Sequence, residues 1–166
     1  MSTTGFTLST ASGQKVTIKE TSATTYLNGT NSAVASAVTS GESVLVLGTD
    51  DNTTITATQV TVQPTGSASA GSSAVVPFQS GAPSSSTSTS KTVGQIPADY
   101  NQGSGTIVSG TAANKATAAA LAVYPGGIVD RVVQLSNGEY EVHNIGVSWP
   151  HHVFVNQDFQ VVGAND

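Results

Sequence analysis

The sequence predicts an α+β protein with two small β-rich domains, of which the second also carries a helix. Three observations predict this class. Residues 6–63 alternate apolar and polar side chains in short runs, and residues 64–105 are rich in Ser, Thr, Gly and Pro. Residues 106–166 show one helical pattern followed by four strand-like runs. We therefore expect a first domain over residues 1–63, a linker over 64–105 and a second domain over 106–166.

Composition excludes several classes of protein. Only 9% of the 166 residues are charged, 37% are hydrophobic, and Ser and Thr together supply 45. The chain has five Lys and Arg residues and a net charge of −5, so it lacks the basic surface that binding of nucleic acid requires. No run of 18 apolar residues exists that would span a membrane. The Ser/Thr/Ala/Gly-rich composition, scarce Lys and absent Cys favour a secreted or cell-surface protein whose leader has been removed.

The first domain is predicted from alternating β-branched runs separated by turn residues. The runs are 6–8, 15–19, 43–47 and 54–62, and the turns contain Ser12-Gly13, Asn28-Gly29 and Gly48–Asn52. Short strands with frequent turns are typical of a small barrel or sandwich. The linker prediction rests on tracts such as Pro83–Ser90, which bury too little apolar surface to offset the entropy of ordering. Two apolar islands, 75–78 and 93–100, are exceptions that can dock on a neighbouring domain, and the alternative is that the whole segment is flexible and makes only transient contacts.

The second domain begins with a helix and continues as two hairpins. Thr111 can cap a helix over 112–124, which Pro125-Gly126-Gly127 ends. Asn137-Gly138 predicts a two-residue hairpin loop, in which Leu135 faces Tyr140. The second hairpin is expected over 151–156 and 159–162. The order is αββββ, with the Ala-rich helix covering one face of the sheet and the other face left open.

This second segment resembles the PepSY family. The features that carry the resemblance are Ala116–Tyr124 followed by Pro-Gly-Gly, the strand Tyr140–His143, and the final hairpin Val153–Val162. Residues 144–152 depart from the family pattern because they form a longer, aromatic connection. PepSY domains occur in propeptides of thermolysin-type peptidases and as free secreted modules. The resemblance therefore implies a non-catalytic domain that binds or restrains peptidases.

The first segment is similar to a small β-barrel family of unknown function from secreted bacterial proteins. The similarity is carried by Val38–Thr49 and Ile55–Val62, with their alternating Val and Thr. It implies an OB-like barrel and no chemistry.

Three side chains form a candidate metal site. Glu141 and His143 share the strand face opposite Tyr140 and Val142, and His152 joins them if Val153 faces the core. Two imidazoles and a carboxylate can bind zinc. The spacing matches no standard zinc motif, however, and a solvated sheet face explains the pattern equally well. A pH-sensitive contact is a further interpretation, because imidazoles titrate near neutrality.

The connection between the last two hairpins supplies the candidate binding residues. These are Trp149, Pro150, His151, His152 and Phe154. Trp149 is the single tryptophan of the chain, and tryptophan on a loop is a frequent contact anchor. The alternative is that Trp149 caps the end of the core by packing on the helix.

Taken together, these patterns predict a non-enzymatic protein that needs no cofactor. We expect the PepSY-like domain to bind protein, and restraint of an extracellular peptidase is its most concrete role. One alternative is a structural or adhesive envelope protein that binds a cell-wall component. Another is a metal or small-ligand module at the histidine face. No nucleophile elbow or nucleotide-binding fingerprint is found in the sequence.

Overall fold

The computed structural model describes residues 5–63 and 91–166. These residues divide into two compact units. The first contains residues 5–8 and 16–63, and the second contains residues 9–15 and 91–166. The predicted apolar island at 75–78 lies outside the described residues.

The first sheet has six strands, and their alternating burial follows from the alternating sequence. The strands are β1 (Gly5–Ser9), β2 (Lys15–Lys19), β3 (Thr25–Asn28), β4 (Asn31–Ala33), β5 (Val44–Asp51) and β6 (Thr54–Val62). In β2, for example, Val16 and Ile18 are fully buried while the residues beside them are exposed. A short 3-10 turn at Ala35–Ala37 separates β4 from β5.

Strand β6 organises this sheet. It pairs in parallel with β2 through its first half and with β3 through its second half, while β5 runs antiparallel along its other edge. Among the described strands, β1, β4 and β5 each pair with a single neighbour. The pairing is therefore that of an open sheet, and it does not give the closed barrel of the predicted fold class.

The second sheet also has six strands and carries one helix. Its elements are β7 (Val93–Gly94), β8 (Thr106–Val108), α1 (Gly110–Val123), β9 (Ile128–Gln134), β10 (Tyr140–Ile145), β11 (His152–Val155) and β12 (Val161–Asn165). The strand order is β7-β12-β11-β10-β9-β8, and all described pairs are antiparallel. Compared with the expected αββββ order, one short strand is added at each edge.

The helix covers one face of this sheet. Its buried residues follow a helical stripe at Ala113, Ala116, Thr117 and Ala120. They pack against Val129, Val132, Tyr140, Val142, Val153 and Val155 from the strands. The helix begins two residues earlier than expected, because Ser109 and not Thr111 is the N-cap residue. In the part of the chain that the structure describes, no helix has the length and apolar character needed to cross a lipid bilayer.

The hairpin between β9 and β10 has a different register from the predicted one. Leu135 and Glu139 close the turn, so the loop contains three residues and Gly138 adopts a φ of +86°. Tyr140 consequently pairs with Gln134, not with Leu135. Because side chains alternate along a strand, this shift places Val132 on the helix face and Val133 on the opposite face.

The opposite face of the sheet is covered by residues 91–104, which we name the strap. Ile96 and Tyr100 of the strap pack against Val133, Leu135 and Phe154. The prediction that this face is open to solvent is therefore wrong for the described residues. The cause is a long-range contact, since Ile96 and Tyr100 lie more than thirty residues before the side chains that they cover.

The overall fold class must also be corrected. The described residues contain twelve strands in two sheets and a single α-helix. The protein is therefore mostly β, and the expected α+β class with a C-terminal αββββ domain is wrong. The second unit contains the predicted helix, and its sheet has one strand more at each edge than the four predicted strands.

Candidate functional site

A polar cluster lies between the second sheet and the strap. It contains Glu141 and His143 on β10 and His152 on β11, which are 0%, 0% and 3% exposed. The three side chains share one face because Glu141 pairs with Phe154 and His143 pairs with His152 across the two strands. The structure thus brings together the three residues of the predicted metal site, but in a buried position.

Glu141 and His152 form the most buried side-chain pair of the cluster. Glu141 Oε1 lies 2.6 Å from His152 Nδ1. Tyr100 from the strap completes this arrangement, with its hydroxyl 3.4 Å from Glu141 Oε1 and 3.1 Å from His152 Nδ1. The Tyr100 ring also meets Phe154 edge to face, at 4.7 Å between centroids. One strap residue therefore contacts both members of the pair.

His143 pairs with a second carboxylate through an irregularity in the sheet. The register between β9 and β10 shifts after His143, so that Asp130 has no direct partner on β10. Such a bulge re-aims a side chain. Here Asp130 Oδ1 lies 2.5 Å from His143 Nδ1. The two imidazole rings are in contact, with 5.0 Å between their centroids.

Arg131 supplies the fixed positive charge of the cluster. It is the cross-strand partner of His143, and its Nη1 lies 3.9 Å from Asp130 Oδ2. Its Nε and Nη2 atoms and Glu141 Oε2 are buried and have no hydrogen-bond partner among the described residues. Burial, followed by the nearby Glu141 carboxylate, raises the pKa of the Tyr100 hydroxyl well above its ordinary value. Tyr100 is therefore kept as a neutral hydrogen-bond donor.

The geometry disfavours the zinc interpretation. The described residues contain no group of three or more His, Asp or Glu side chains arranged to hold a metal ion. Each of the two Nδ1 atoms is directed at a carboxylate oxygen, and Glu141 Oε1 already contacts Tyr100 and His152. The carboxylate expected to bind metal thus serves as the partner of an imidazole.

The predicted binding loop is tied to the helix end and to the strap. Trp149 packs edge to face on Tyr124, the C-cap residue of α1, with 5.3 Å between centroids. Trp149 Nε1 donates to the carbonyl of Lys91, and Lys91 Nζ lies 3.9 Å from the centre of the indole ring. This arrangement agrees with the alternative in which Trp149 packs on the helix.

The other predicted binding residues are distributed over different environments. Pro150 is buried and follows a cis peptide bond. His151 is half-buried, with Nε2 3.0 Å from the Val147 carbonyl and Nδ1 3.7 Å from Asp166. Phe154 is fully buried beneath the strap. These residues do not form one exposed contact surface.

Sequence reasoning did not assign Tyr100, Asp130 or Arg131 to the cluster. The signal for Tyr100 was the apolar island at 93–100, for which docking on a domain was one of two alternatives and no docking position was predicted. Asp130 enters the cluster only because of the bulge, and no pattern in the sequence predicts that bulge. Arg131 pairs with His143 in the structure, whereas the predicted pairing of Leu135 with Tyr140 would place Arg131 opposite Asn144.

Comparison with known proteins finds no family model that matches the chain, and no significantly similar curated protein or solved structure. The PepSY and OB-like resemblances therefore stay predictions.

Proposed function

We propose that the chain is a non-enzymatic, secreted or cell-surface protein whose second unit binds another protein at the edge of its sheet. The first partner class to test is an extracellular peptidase of the thermolysin type, because the PepSY resemblance points to it. The single observation that carries the proposal is the edge at β8, which no strand of the described residues pairs, in a sheet whose two faces are both covered.

Because both faces of the second sheet are covered, we expect a partner to bind at its edges. The helix packs on one face of the second sheet, and Ile96 and Tyr100 of the strap pack on the other. The histidines and carboxylates on that second face are paired with each other beneath the strap. A partner that approaches this unit would therefore meet edge strands more readily than a sheet face.

The β8 edge has the features of a site for strand addition. Thr106–Val108 pairs with β9 on one side, and no described strand lies on its other side. Thr106 is exposed, and Ile107 and Val108 are half-buried. An unpaired strand edge offers its backbone N–H and C=O groups to an extended segment of a partner. If β8 pairs in this way with a segment of the peptidase beside its active-site cleft, the peptidase is restrained.

The first test is inhibition of a thermolysin-type secreted peptidase by the full chain. The rate of hydrolysis of a small peptide substrate is followed while the chain is titrated in. Saturable inhibition with an uncleaved chain is the expected result. If the peptidase is not inhibited, or if it digests the chain, the proposal of peptidase restraint is wrong. The alternative of a structural envelope protein is then favoured.

A pair of matched variants locates the interaction. Thr106→Lys places a charge on the open edge, where lysine opposes strand pairing, and we expect at least tenfold weaker inhibition. Thr53→Lys makes the same change at an exposed position in the β5–β6 turn of the first unit and should leave inhibition unchanged. Equal inhibition by both variants would show that β8 is not the contact edge.

A further inference from the structure

The strap lies on the second sheet in the manner of a bound peptide. Gly94 of β7 pairs with Gly163 of β12. The amide of Gln95 extends this pairing, because it donates to the Val162 carbonyl at 2.8 Å. Addition of an extended segment to a sheet edge, with main-chain hydrogen bonds and pockets for a few side chains, is a recurring mode of peptide recognition. β7 is only two residues long, so the side chains of the strap supply much of its attachment.

Three side chains of the strap serve as its anchors. Ile96 and Tyr100 pack on the sheet, and Pro97 between them is buried. The sheet residues that they cover are Val133, Leu135 and Phe154. Residues 91–95, 98 and 99 are exposed. The contacts thus define a short pattern, in which an aliphatic residue and a proline are followed three positions later by a tyrosine.

The tyrosine of this pattern is recognised by polar groups as well as by apolar contact. Its hydroxyl lies 3.4 Å from Glu141 Oε1 and 3.1 Å from His152 Nδ1. Both of these side chains are almost completely buried. A ligand without the hydroxyl therefore leaves buried polar atoms with one hydrogen bond fewer, which is the condition under which a site rejects an analogue most strongly. The site is thus built to select tyrosine over phenylalanine.

The larger core of the second unit does not involve the strap. Among the described residues, nine buried side chains form the cluster on the helix face, whereas three form the cluster on the strap face. Strands β8 to β12 pair with one another without β7. The connection from the strap to β8 contains Gly103 and Gly105, both at positive φ, where the chain can change direction. We therefore expect the strap to leave its site without unfolding the helix and the sheet.

The strap leaves part of the site unused. Glu141 Oε2 is buried, and the described residues supply no hydrogen-bond partner for it. A foreign segment with a donor at this point gains a hydrogen bond that the strap does not make. A second copy of the chain brings the same strap, and its exchange forms no contact that the docked strap lacks. This difference favours a segment of another protein as the occupant.

We propose that the site beneath the strap is a peptide-binding site, which residues 91–104 occupy as an internal ligand. Its external ligand is an extended segment of another protein, with an aliphatic residue, a proline and a tyrosine at the spacing of Ile96, Pro97 and Tyr100. The site is distinct from the β8 edge, because β7 and β8 lie at opposite edges of the sheet. The docked strap inhibits binding, since a tethered segment competes at an effective concentration on the order of 1 mM.

Displacement of the strap in the unmodified, isotope-labelled chain tests this proposal. The probe is an unlabelled synthetic peptide of residues 91–104, added at about 5 mM to exceed the effective concentration of the tethered strap. The Gln95 amide reports strap docking, because it donates to Val162, and the Tyr124 amide, which donates to Ala120 at the end of the helix, reports the rest of the unit. We expect the protection of Gln95 against hydrogen exchange to fall at least tenfold and that of Tyr124 to stay within twofold. Unchanged protection at Gln95 would overturn the proposal.

Two altered peptides test which features of the ligand are recognised. The peptide with Tyr100→Phe should need at least tenfold higher concentration for the same displacement, because it lacks the hydroxyl that contacts Glu141 and His152. The peptide with Ala98→Ser is the matched control, since Ala98 is exposed, and it should act within twofold of the original peptide. Equal displacement by the Tyr100→Phe peptide would contradict the assignment of a tyrosine-bearing ligand.

A full chain with a weakened strap gives the affinity directly. In the double variant Ile96→Ser with Tyr100→Ser, the internal ligand loses two of its anchors, while the sheet residues of the site are unchanged. Fluorescence anisotropy of the labelled peptide should show saturable binding, with a dissociation constant at least tenfold lower than for the unmodified chain. The absence of binding to a variant that keeps its Tyr124 protection would overturn the proposal.

Two further outcomes of this experiment contradict the proposal. Loss of Tyr124 protection in the double variant would show that the unit needs the strap in order to fold, so that the strap is not a displaceable ligand. A complex of two chains, formed on mixing the double variant with the unmodified chain and detected by size-exclusion chromatography, would identify a second copy as the occupant. Neither result depends on inhibition of a peptidase, so this site is tested separately from the β8 edge.

Discussion

Glu141 is the residue on which the buried cluster depends most directly. Its side chain is 1% exposed, and Oε1 contacts both His152 and Tyr100. Removal of one partner from a buried pair leaves the other partner desolvated and uncompensated, which costs about 3–5 kcal/mol. The contribution of Glu141 is therefore expected to exceed that of any exposed carboxylate in the second unit.

We predict that Glu141→Ala lowers the free energy of unfolding of the second unit by about 3–5 kcal/mol. Glu141→Gln should lower it by less, because the amide oxygen still accepts from Tyr100. Urea denaturation followed by Trp149 fluorescence measures both values. The control is Asp158→Ala in the exposed β11–β12 turn, for which a change within about 0.5 kcal/mol is expected. Equal effects of Glu141→Ala and Asp158→Ala would show that the buried pair contributes no special stability.

The conformation of the cluster was only partly predictable at the residue scale. Alternation along Tyr140–His143 placed Glu141 and His143 on one face correctly, since side-chain alternation is a local property. Their burial was not predicted, because it depends on Tyr100, about forty residues earlier. A sequence pattern reports which side chains share a face, but not which distant segment covers that face.

At the scale of elements, the contact between β7 and β12 depends on the absence of a side chain at Gly163. A Cβ atom there would lie 2.2 Å from the Gln95 carbonyl oxygen, which is backbone and cannot move away alone. Because Gly163 itself needs no left-handed backbone conformation, an alanine at this position acts through the clash with the strap.

We therefore predict that Gly163→Ala displaces the strap at neutral pH. Hydrogen exchange at pH 7.5 should show at least a tenfold loss of protection at Gln95 with little change at Tyr124. Asp158→Ala in the exposed β11–β12 turn is a suitable control, since it leaves the contact between β7 and β12 unchanged. A protected Gln95 amide in Gly163→Ala would mean that the strap accommodates the methyl group and that the close contact is not required.

The β9–β10 hairpin shows why strand register was harder to predict than strand existence. Asn137-Gly138 correctly marked a turn between two strands. Gly138, at a φ of +86°, ends a three-residue loop, whereas Asn-Gly alone favours a two-residue loop. The one-residue difference reverses the faces of residues 131–134 of β9 relative to β10. Turn chemistry thus located the hairpin but did not define its register.

At the scale of the whole molecule, the composition and alternation indicated a β-rich chain, and the structure is more strongly β than expected. The two short edge strands, β7 and β8, account for much of the difference in the second unit. Strands of two or three residues carry no periodic signal of their own, and they form because a neighbouring strand offers an unpaired edge. Their position could be assigned only from the three-dimensional pairing.

The contact between Tyr100 of the strap and Glu141 predicts a loss of stability in alkali. Burial and the Glu141 carboxylate raise the pKa of Tyr100 in the folded state above its ordinary value of 10.0. The neutral phenol is thus favoured by folding, and its contribution is complete below about pH 10 and is lost as pH rises further. The urea midpoint reported by Trp149 should consequently stay constant up to about pH 10 and fall as pH rises from 10 to 12.

Substitution of Tyr100 by Phe separates this effect from general alkaline denaturation. Tyr100→Phe keeps the edge contact with Phe154 and removes the ionisable hydroxyl, so the urea midpoint should be lower at pH 8 but should fall less steeply above pH 10. Tyr26→Phe is the matched control, because burial also raises the pKa of Tyr26, which belongs to the first unit. The Trp149-reported midpoint of Tyr26→Phe should follow that of the unmodified chain. If Tyr100→Phe shows the same alkaline slope as the unmodified chain, ionisation of Tyr100 does not limit strap docking, and the lower midpoint at high pH has another origin.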